Sequence, residues 1–414
     1  MRILYTVTAF PREAGDVITP WLIETIQRLR AQEVEVEVLA PSYRGLGDQV
    51  VNGIRVHRFR YAPKGLETLT HDQTAPDRIR ERPAYLGLVP GYVAAGAWAA
   101  SRLARTGGFD VVHVFWPLPH GLFGLAARRA AGIPLVTTFF GVELSWVRAE
   151  LPLLAPLMRG VIRRSDAVTA ISTYTAREVQ RLAPEVEVRR IPFGAAGAGS
   201  DSELNGPRER VAGSPFRLLF VGRLVERKGV EVLLRAVARL GRDLDVRLTV
   251  VGEGPLRPLL EGRVQALGIG DRVEFAGLVP GPEISGYFLN CDALVLPAIR
   301  DGKGDVEGLG VVLIEALLHD RPVIASDSGG IPDIVQDGRT GLLVPPGDDA
   351  ALASAIRRFI DEPGLRDRLA AEGRRHVSLH FSWEAIIAEL VDLYHGLQTR
   401  STATARPRLT NGST

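Results

Sequence analysis

The sequence predicts an α/β protein built as two doubly wound domains, and three observations carry that expectation. Short apolar, β-branched runs alternate with longer segments of helical period along the whole chain, the pattern of βαβ units around a parallel sheet. The chain has 414 residues, more than one ordinary hydrophobic core accommodates. Around residues 194–214 the alternation gives way to small and polar residues without period, a linker composition, and then begins again.

In the first half, strands are expected at Ile3 to Val7, Val34 to Leu39, Val56 to Phe59, Val111 to Phe115, Leu135 to Phe139, Ala167 to Ile171 and Val188 to Ile191. Helical stretches lie between them, among them Pro20 to Arg30, with proline at its start, and Gly121 to Ala131, closed by Gly132. Residues 83–101 carry no charge, but Ala, Gly and Pro90 argue for a semi-buried helix over Tyr92 to Arg105 rather than a membrane span. In the second half, strands are expected at Phe216 to Val221, Arg247 to Val251, Val273 to Phe275, Ala293 to Leu296 and Pro322 to Ala325. A last helix over Trp383 to Leu397 precedes a polar tail read as disordered.

Composition removes several function classes. Cys291 is the only cysteine, so a disulfide framework and cysteine-rich zinc sites are excluded, which suits a reducing compartment. MRILYTV leads directly into a strand, so no secretion signal is expected. With 50 basic and 48 acidic residues the net charge of +2 is too small to argue for nucleic acid as a partner. Only Lys64, Lys228 and Lys303 are lysines among those 50, so each lysine marks a position to question.

Ligands of doubly wound sheets bind outside the carboxyl ends of strands, which directs attention to the turns that follow them. Neither the dinucleotide fingerprint nor a P-loop occurs in any of them, which disfavours a classical NAD enzyme or P-loop ATPase. The strand ending at Val221 runs instead into Gly222-Arg-Leu-Val-Glu-Arg-Lys-Gly229 and a helix. Gly222 permits a tight turn, Arg223 can fork onto two phosphate oxygens, and Lys228 stands at a helix N-terminus whose free N–H groups favour anions. A second cluster runs from Asp301 through Glu307, Gly308, Leu309, Gly310 and Val311 to Glu315. Glu307 precedes a glycine-loosened helix start, where the N–H groups of Leu309, Gly310 and Val311 are expected to face a ligand. Glu315, in an otherwise apolar helix, needs hydrogen-bond donors, either the two hydroxyls of a ribose or a neighbouring arginine. Asp305 and Glu307 superficially resemble a metal-binding pair, but the nearby cations make a metal unnecessary, so none is expected.

The segment from Phe220 to Leu240, the loop from Val250 to Pro255, Glu307 to Glu315 as E-x7-E, Asp327 to Pro332 and Gly338 to Val344 resemble, in this order, the retaining GT-B glycosyltransferases of family GT4. Phe10 to Asp16 and Asp110 to His113 are similar to that family as well. The resemblance implies two facing Rossmann-like domains, residues 1–200 on the acceptor side and 215–381 for the nucleotide sugar. A helix over 382–398 would cross back to the first domain, with 399–414 as a disordered tail. It gives Arg223 and Lys228 to the diphosphate, Glu315 to the ribose, and Glu307 with the backbone of Gly308 to Val311 to the sugar and phosphates, so Glu307, Arg223 and Lys228 become the catalytic candidates. Gly15 would approach the diphosphate from the other domain, and the backbone at Leu278 and Val279 would meet the base.

Two departures from the family pattern stand out. Where the family usually has a His followed by Gly, this chain has Phe140-Gly141, with Glu143 close behind; His113 and His120 are the other candidates for the cleft or acceptor side. After Gly194 the family's acidic residue is replaced by Ala195 and Ala196. The function implied is retaining transfer of a sugar from a UDP- or GDP-sugar to a glycan, lipid-linked or small-molecule acceptor, metal-independent and front-face, with the nucleotide sugar as substrate and no separate cofactor. A nucleotide-sugar-binding partner protein without catalysis and a GT-B sugar-nucleotide epimerase are the alternatives. Residues 151–164 combine leucines with Arg159, Arg163 and Arg164, so peripheral contact with an anionic membrane stands beside an ordinary surface helix. The expected location is cytoplasmic, with contact at the inner face of the membrane left open.

Overall fold

The computed structural model describes residues 1–16, 18–72, 74–195 and 213–405. They form two compact units: Met1–Ile171 with Thr175–Phe193 and the chain from Ile386 on, and Ser172–Tyr174 with Gly194–Ala385. Most of the expected linker, residues 196–212, and residues 406–414 of the expected tail lie outside the described residues.

The first unit is built on an eight-stranded sheet of β1 (Arg2–Thr6), β2 (Glu35–Pro41), β3 (Gln49–Val51), β4 (Ile54–Phe59), β5 (Val111–Phe115), β6 (Leu135–Phe139), β7 (Ala167–Ala170) and β8 (Val188–Arg190). Their spatial order is β3-β4-β2-β1-β5-β6-β7-β8. Successive β1 residues alternate between two apolar layers, Ile3 and Tyr5 in one and Leu4 in the other, as a strand covered on both faces must. All pairings are parallel except β3 with β4. This hairpin was not anticipated, although Asn52 (φ 50°) and Gly53 (φ 75°) form the two-residue connection with positive φ that such hairpins favour.

The second unit carries β9 (Phe216–Val221), β10 (Val246–Val251), β11 (Val273–Gly277), β12 (Ala293–Leu296), β13 (Val323–Ser326) and β14 (Leu342–Val344), in the order β11-β10-β9-β12-β13-β14. Every pair is parallel. This is the 3-2-1-4-5-6 order of nucleotide-binding sheets, with its switch point between β9 and β12. The sequence reading located β9 to β13 to within a few residues and missed only the three-residue β14.

Three helices differ from expectation, and the one expected over Gly121 to Ala131 begins at Pro117. The uncharged stretch forms a helix over Val89–Thr106, starting earlier than expected because Pro90 lies in its first turn, where a missing N–H breaks no intrahelical bond. Among the described residues no helix is long and apolar enough to cross a membrane. The last helix runs over Trp383–Ala405, so residues 399–405 are helical rather than part of a disordered tail. It is anchored in the first unit by a buried chain of polar groups. The Tyr394 hydroxyl lies 2.8 Å from that of Tyr5 and 2.7 Å from His113 Nδ1, whose Nε2 lies 2.6 Å from Thr138 Oγ1. Each of these groups, withdrawn from water, thereby keeps a hydrogen-bond partner.

Candidate functional site

The site in the second unit is assembled at the switch point. β9 ends at Val221, and Gly222 and Arg223 lead through a short turn, Glu226–Lys228, to Gly229 and the helix Val230–Arg239. Only glycine fits at 229: φ is 68°, and a Cβ there would sit 1.9 Å from the carbonyl oxygen of Pro297, just after β12. The loops after β9 and β12 are therefore in direct contact, and Ile299 N–H also donates to Arg227 O at 2.9 Å. Lys228 Nζ is carried to Glu307 Oε2 at 2.5 Å, with the two side chains 15% and 12% exposed. Burial alone would push the Glu307 carboxyl up. The Lys228 ammonium, supported by Arg227 and by the Leu309 N–H, outweighs burial and holds it below the usual carboxylate range.

Glu307 is followed by Gly308 and Leu309, and Gly310 (φ 88°) caps the helix Val311–Leu318 without a side-chain hydrogen bond. The first N–H groups of such a helix have no intrahelical acceptor. Of the three residues expected to face a ligand with their N–H groups, Leu309 buries its side chain in the core. The glycine pair of Asp327 to Pro332 folds onto this segment, with Gly330 N–H on Glu307 O at 2.9 Å. A Cβ at Gly329 would meet that same oxygen at 2.0 Å, which explains the glycines of that motif.

Glu315, on the buried helix, is half-buried and has no side-chain hydrogen bond or arginine partner among the described residues. Burial pushes its carboxyl up to about 7, with Lys228 pulling the other way. Arg223 is exposed, and its guanidinium has no partner among the described residues. Leu278, 80% exposed, and Val279 follow β11, two strands from β9 at the same carboxyl edge. The unit thus presents, along one edge, an uncommitted guanidinium, an ammonium, free helix N–H groups and an unpaired carboxylate. That set suits an anion joined to a polyol. Asp305 is part of a self-contained turn, its N–H and that of Lys303 both on Asp301 Oδ1, at 2.8 and 3.0 Å.

In the first unit, Gly15 (φ 93°) lies in the loop between β1 and the helix Pro20–Arg30. Sequence reasoning missed the residue that holds this loop. Arg58, 6% exposed on β4, donates to Phe10 O at 3.2 Å and Pro11 O at 2.7 Å. The available signal was that Arg58 falls in phase with the buried Ile54 and Val56 of the strand IRVHRF, whereas Arg55 lies on the other phase and is exposed.

The cleft candidates of this unit need correction. His113 is fully buried, both ring nitrogens engaged, and burial pushes it down to about 3. His120 is also buried, bonded to the Tyr92 hydroxyl (2.9 Å) and Trp116 O (3.0 Å), and pushed down to about 4. Neither ring is open to an acceptor. Phe140 stacks on Trp116 at 4.2 Å and packs near Trp21 and Phe193. Beneath it lies a cavity of only about 30 Å³, the size of a water. Gly141 (φ 104°) precedes the helix Val142–Ala149. Glu143, fully buried, accepts the Phe140 N–H at 2.8 Å on Oε1, whereas Oε2 has no hydrogen-bond partner. Burial pushes that carboxyl up to about 7.

Comparison with known proteins agrees with this architecture. Residues 202–376 match the family described as glycosyl transferases group 1, and residues 22–194 match the glycosyl transferase 4-like domain. The GDP-mannose-dependent alpha-(1-6)-phosphatidylinositol monomannoside mannosyltransferase of Mycolicibacterium smegmatis is 31% identical over 83% of this chain and 91% of its own. The alpha-D-kanosaminyltransferase of Streptomyces kanamyceticus is 30% identical over 75% and 84%. Among solved structures, the sucrose-phosphate synthase of Thermosynechococcus elongatus superposes with a TM-score of 0.75 at 25% identity, covering 96% of this chain and 99% of that one. With its two Rossmann-like units and this kinship, the chain belongs to the group 1 glycosyl transferases, and is a GT-B glycosyltransferase of family GT4.

Proposed function

We propose that this glycosyltransferase is retaining and takes its sugar from a GDP- or UDP-sugar held by the second unit. The observation that carries the reading is the buried Lys228–Glu307 pair, on the same sheet edge as Arg223, whose guanidinium has no partner among the described residues. Arg223 and Lys228 are assigned to the diphosphate, the free N–H groups after Gly310 to its oxygens, Glu307 to the sugar, and Glu315 to the ribose hydroxyls. A GDP-sugar is the first donor to test, because the M. smegmatis relative is named as GDP-mannose-dependent. That relative's name also supports an acceptor bearing sugar or inositol hydroxyls, free or lipid-linked.

In the proposed step the bond between the anomeric carbon and the diphosphate oxygen breaks while the acceptor oxygen bonds to the same face of that carbon. The acceptor proton passes to the departing diphosphate, and the protein's contribution is electrostatic: cations and helix N–H groups stabilise charge growing on the leaving group. No separate cofactor enters this scheme. Phe140 supplies packing where the family has an imidazole, so the scheme gives no step to that position. A reducing compartment suits the lone buried Cys291. Incubation with labelled GDP- and UDP-sugars tests the reading: binding with slow hydrolysis or transfer supports it, and neither binding nor turnover of any donor sinks it.

A further inference from the structure

We infer that residues 151–164 form a docking face for an anionic lipid bilayer. A short turn, Pro152–Leu154, leads into the helix Ala155–Arg164, which buries Met158, Val161 and Ile162. Its other side is bare. Leu153 is 92% exposed, and Leu151 and Leu157 are each 37% exposed. Leu153 lies in the turn just ahead of the helix, and Leu157 shares a helix face with Arg164, seven residues on. Exposed leucines that no groove receives are costly in water and are stabilised by an acyl layer.

The charges complete the pattern. The helix carries three arginines and no acidic residue. With Pro156 and Gly160, Arg159, Arg163 and Arg164 line an open basin of about 490 Å³. The groups facing them are few: Arg159 donates to Leu182 O at 2.7 Å, Arg163 pairs with the exposed Glu185, and Arg164 donates to Gly160 O at 3.1 Å. Among the described residues one carboxylate thus pairs with three guanidiniums, and each guanidinium keeps donors for phosphate oxygens. Leucines standing beside a cationic basin match the layering of a membrane interface, where acyl chains lie beneath anionic headgroups. The inference is independent of the donor chemistry proposed above.

Vesicle co-sedimentation of the full chain tests it, with vesicles of phosphatidylcholine alone and of phosphatidylcholine mixed with phosphatidylglycerol. Binding is expected on the mixed vesicles and weak on the neutral ones, and is expected to fall as salt shortens the screening length. Each arginine at an anionic surface contributes roughly fivefold to binding, so Arg164→Glu is expected to lower it about tenfold or more, with a comparable loss for Leu153→Asp. Both positions are exposed, so melting curves and donor hydrolysis in solution should match the wild type. Equal partition onto the two vesicle types, binding to neither, or undiminished binding of both variants would overturn the proposal. So would a lipid-free dimer that Leu153→Asp dissociates, since a second copy would then cover this face.

Discussion

Replacing Lys228 by methionine separates the two tasks assigned to it, stability and leaving-group stabilisation. The pair is mostly buried, at 15% and 12% exposure, so the variant leaves Glu307 as a carboxylate with little water and no ammonium. Breaking a buried pair by removing one member typically costs about 3–5 kcal/mol, and the residual exposure here points to about 2–3 kcal/mol. The pH dependence follows from the sign of the shift. In the wild type the Glu307 carboxyl is held below its unfolded value, so its stabilising contribution is present above the unfolded pKa and is lost as pH falls through the folded one. In the variant burial dominates and raises that pKa, so the destabilisation is largest at neutral pH and fades in acid once Glu307 is protonated. Urea unfolding at neutral and acidic pH reads this difference. Transfer is expected to slow about 10²–10³-fold, the usual effect of removing one electrostatic donor from a developing negative charge. The double variant Lys228→Met with Glu307→Gln should regain most of the stability and none of the activity. A Lys228→Met protein with an unchanged unfolding midpoint at neutral pH, or a double variant that recovers transfer, would refute this assignment.

Glu315, with its carboxyl raised to about 7, binds a proton more readily folded than unfolded. Its contribution therefore declines as pH rises from the unfolded carboxylate range towards 7, and Glu315→Gln should flatten the thermal-stability profile in that window while weakening donor binding in calorimetry. Gly229→Ala forces an L residue into φ 68° against Pro297 O and should cost about 2 kcal/mol or more in denaturant unfolding. Tyr394→Phe removes the hydroxyl that joins Tyr5 to His113 and should destabilise the protein by about 1–3 kcal/mol, because buried partners lose their bonds.

Strands β9 to β13 could be read from the sequence because most are short, apolar and buried, so composition and period agree. β3 and β14 span three residues each, which leaves little room for a period to show, although the equally short β8 was located. Pro90 was misjudged as a break because proline reads the same at a helix start as in a disrupted helix until the other boundary is known. At the site, the scarcity of lysine pointed to Lys228, and the salt bridge gives that clue a partner 79 positions away. His113 failed as a cleft residue for the converse reason: its partner Tyr394 lies 281 positions along the chain, and nothing local to the strand announces it.

The edge formed by Arg223, Lys228, Glu307 and Glu315 is proposed to hold a nucleotide sugar and to turn it over with retention. NMR of the transfer reaction with an α-linked GDP- or UDP-sugar, repeated with Lys228→Met, measures this most directly. An α-linked product is expected from the wild type and a greatly slowed reaction from the variant. A β-linked product, or undiminished transfer by the variant, would contradict it.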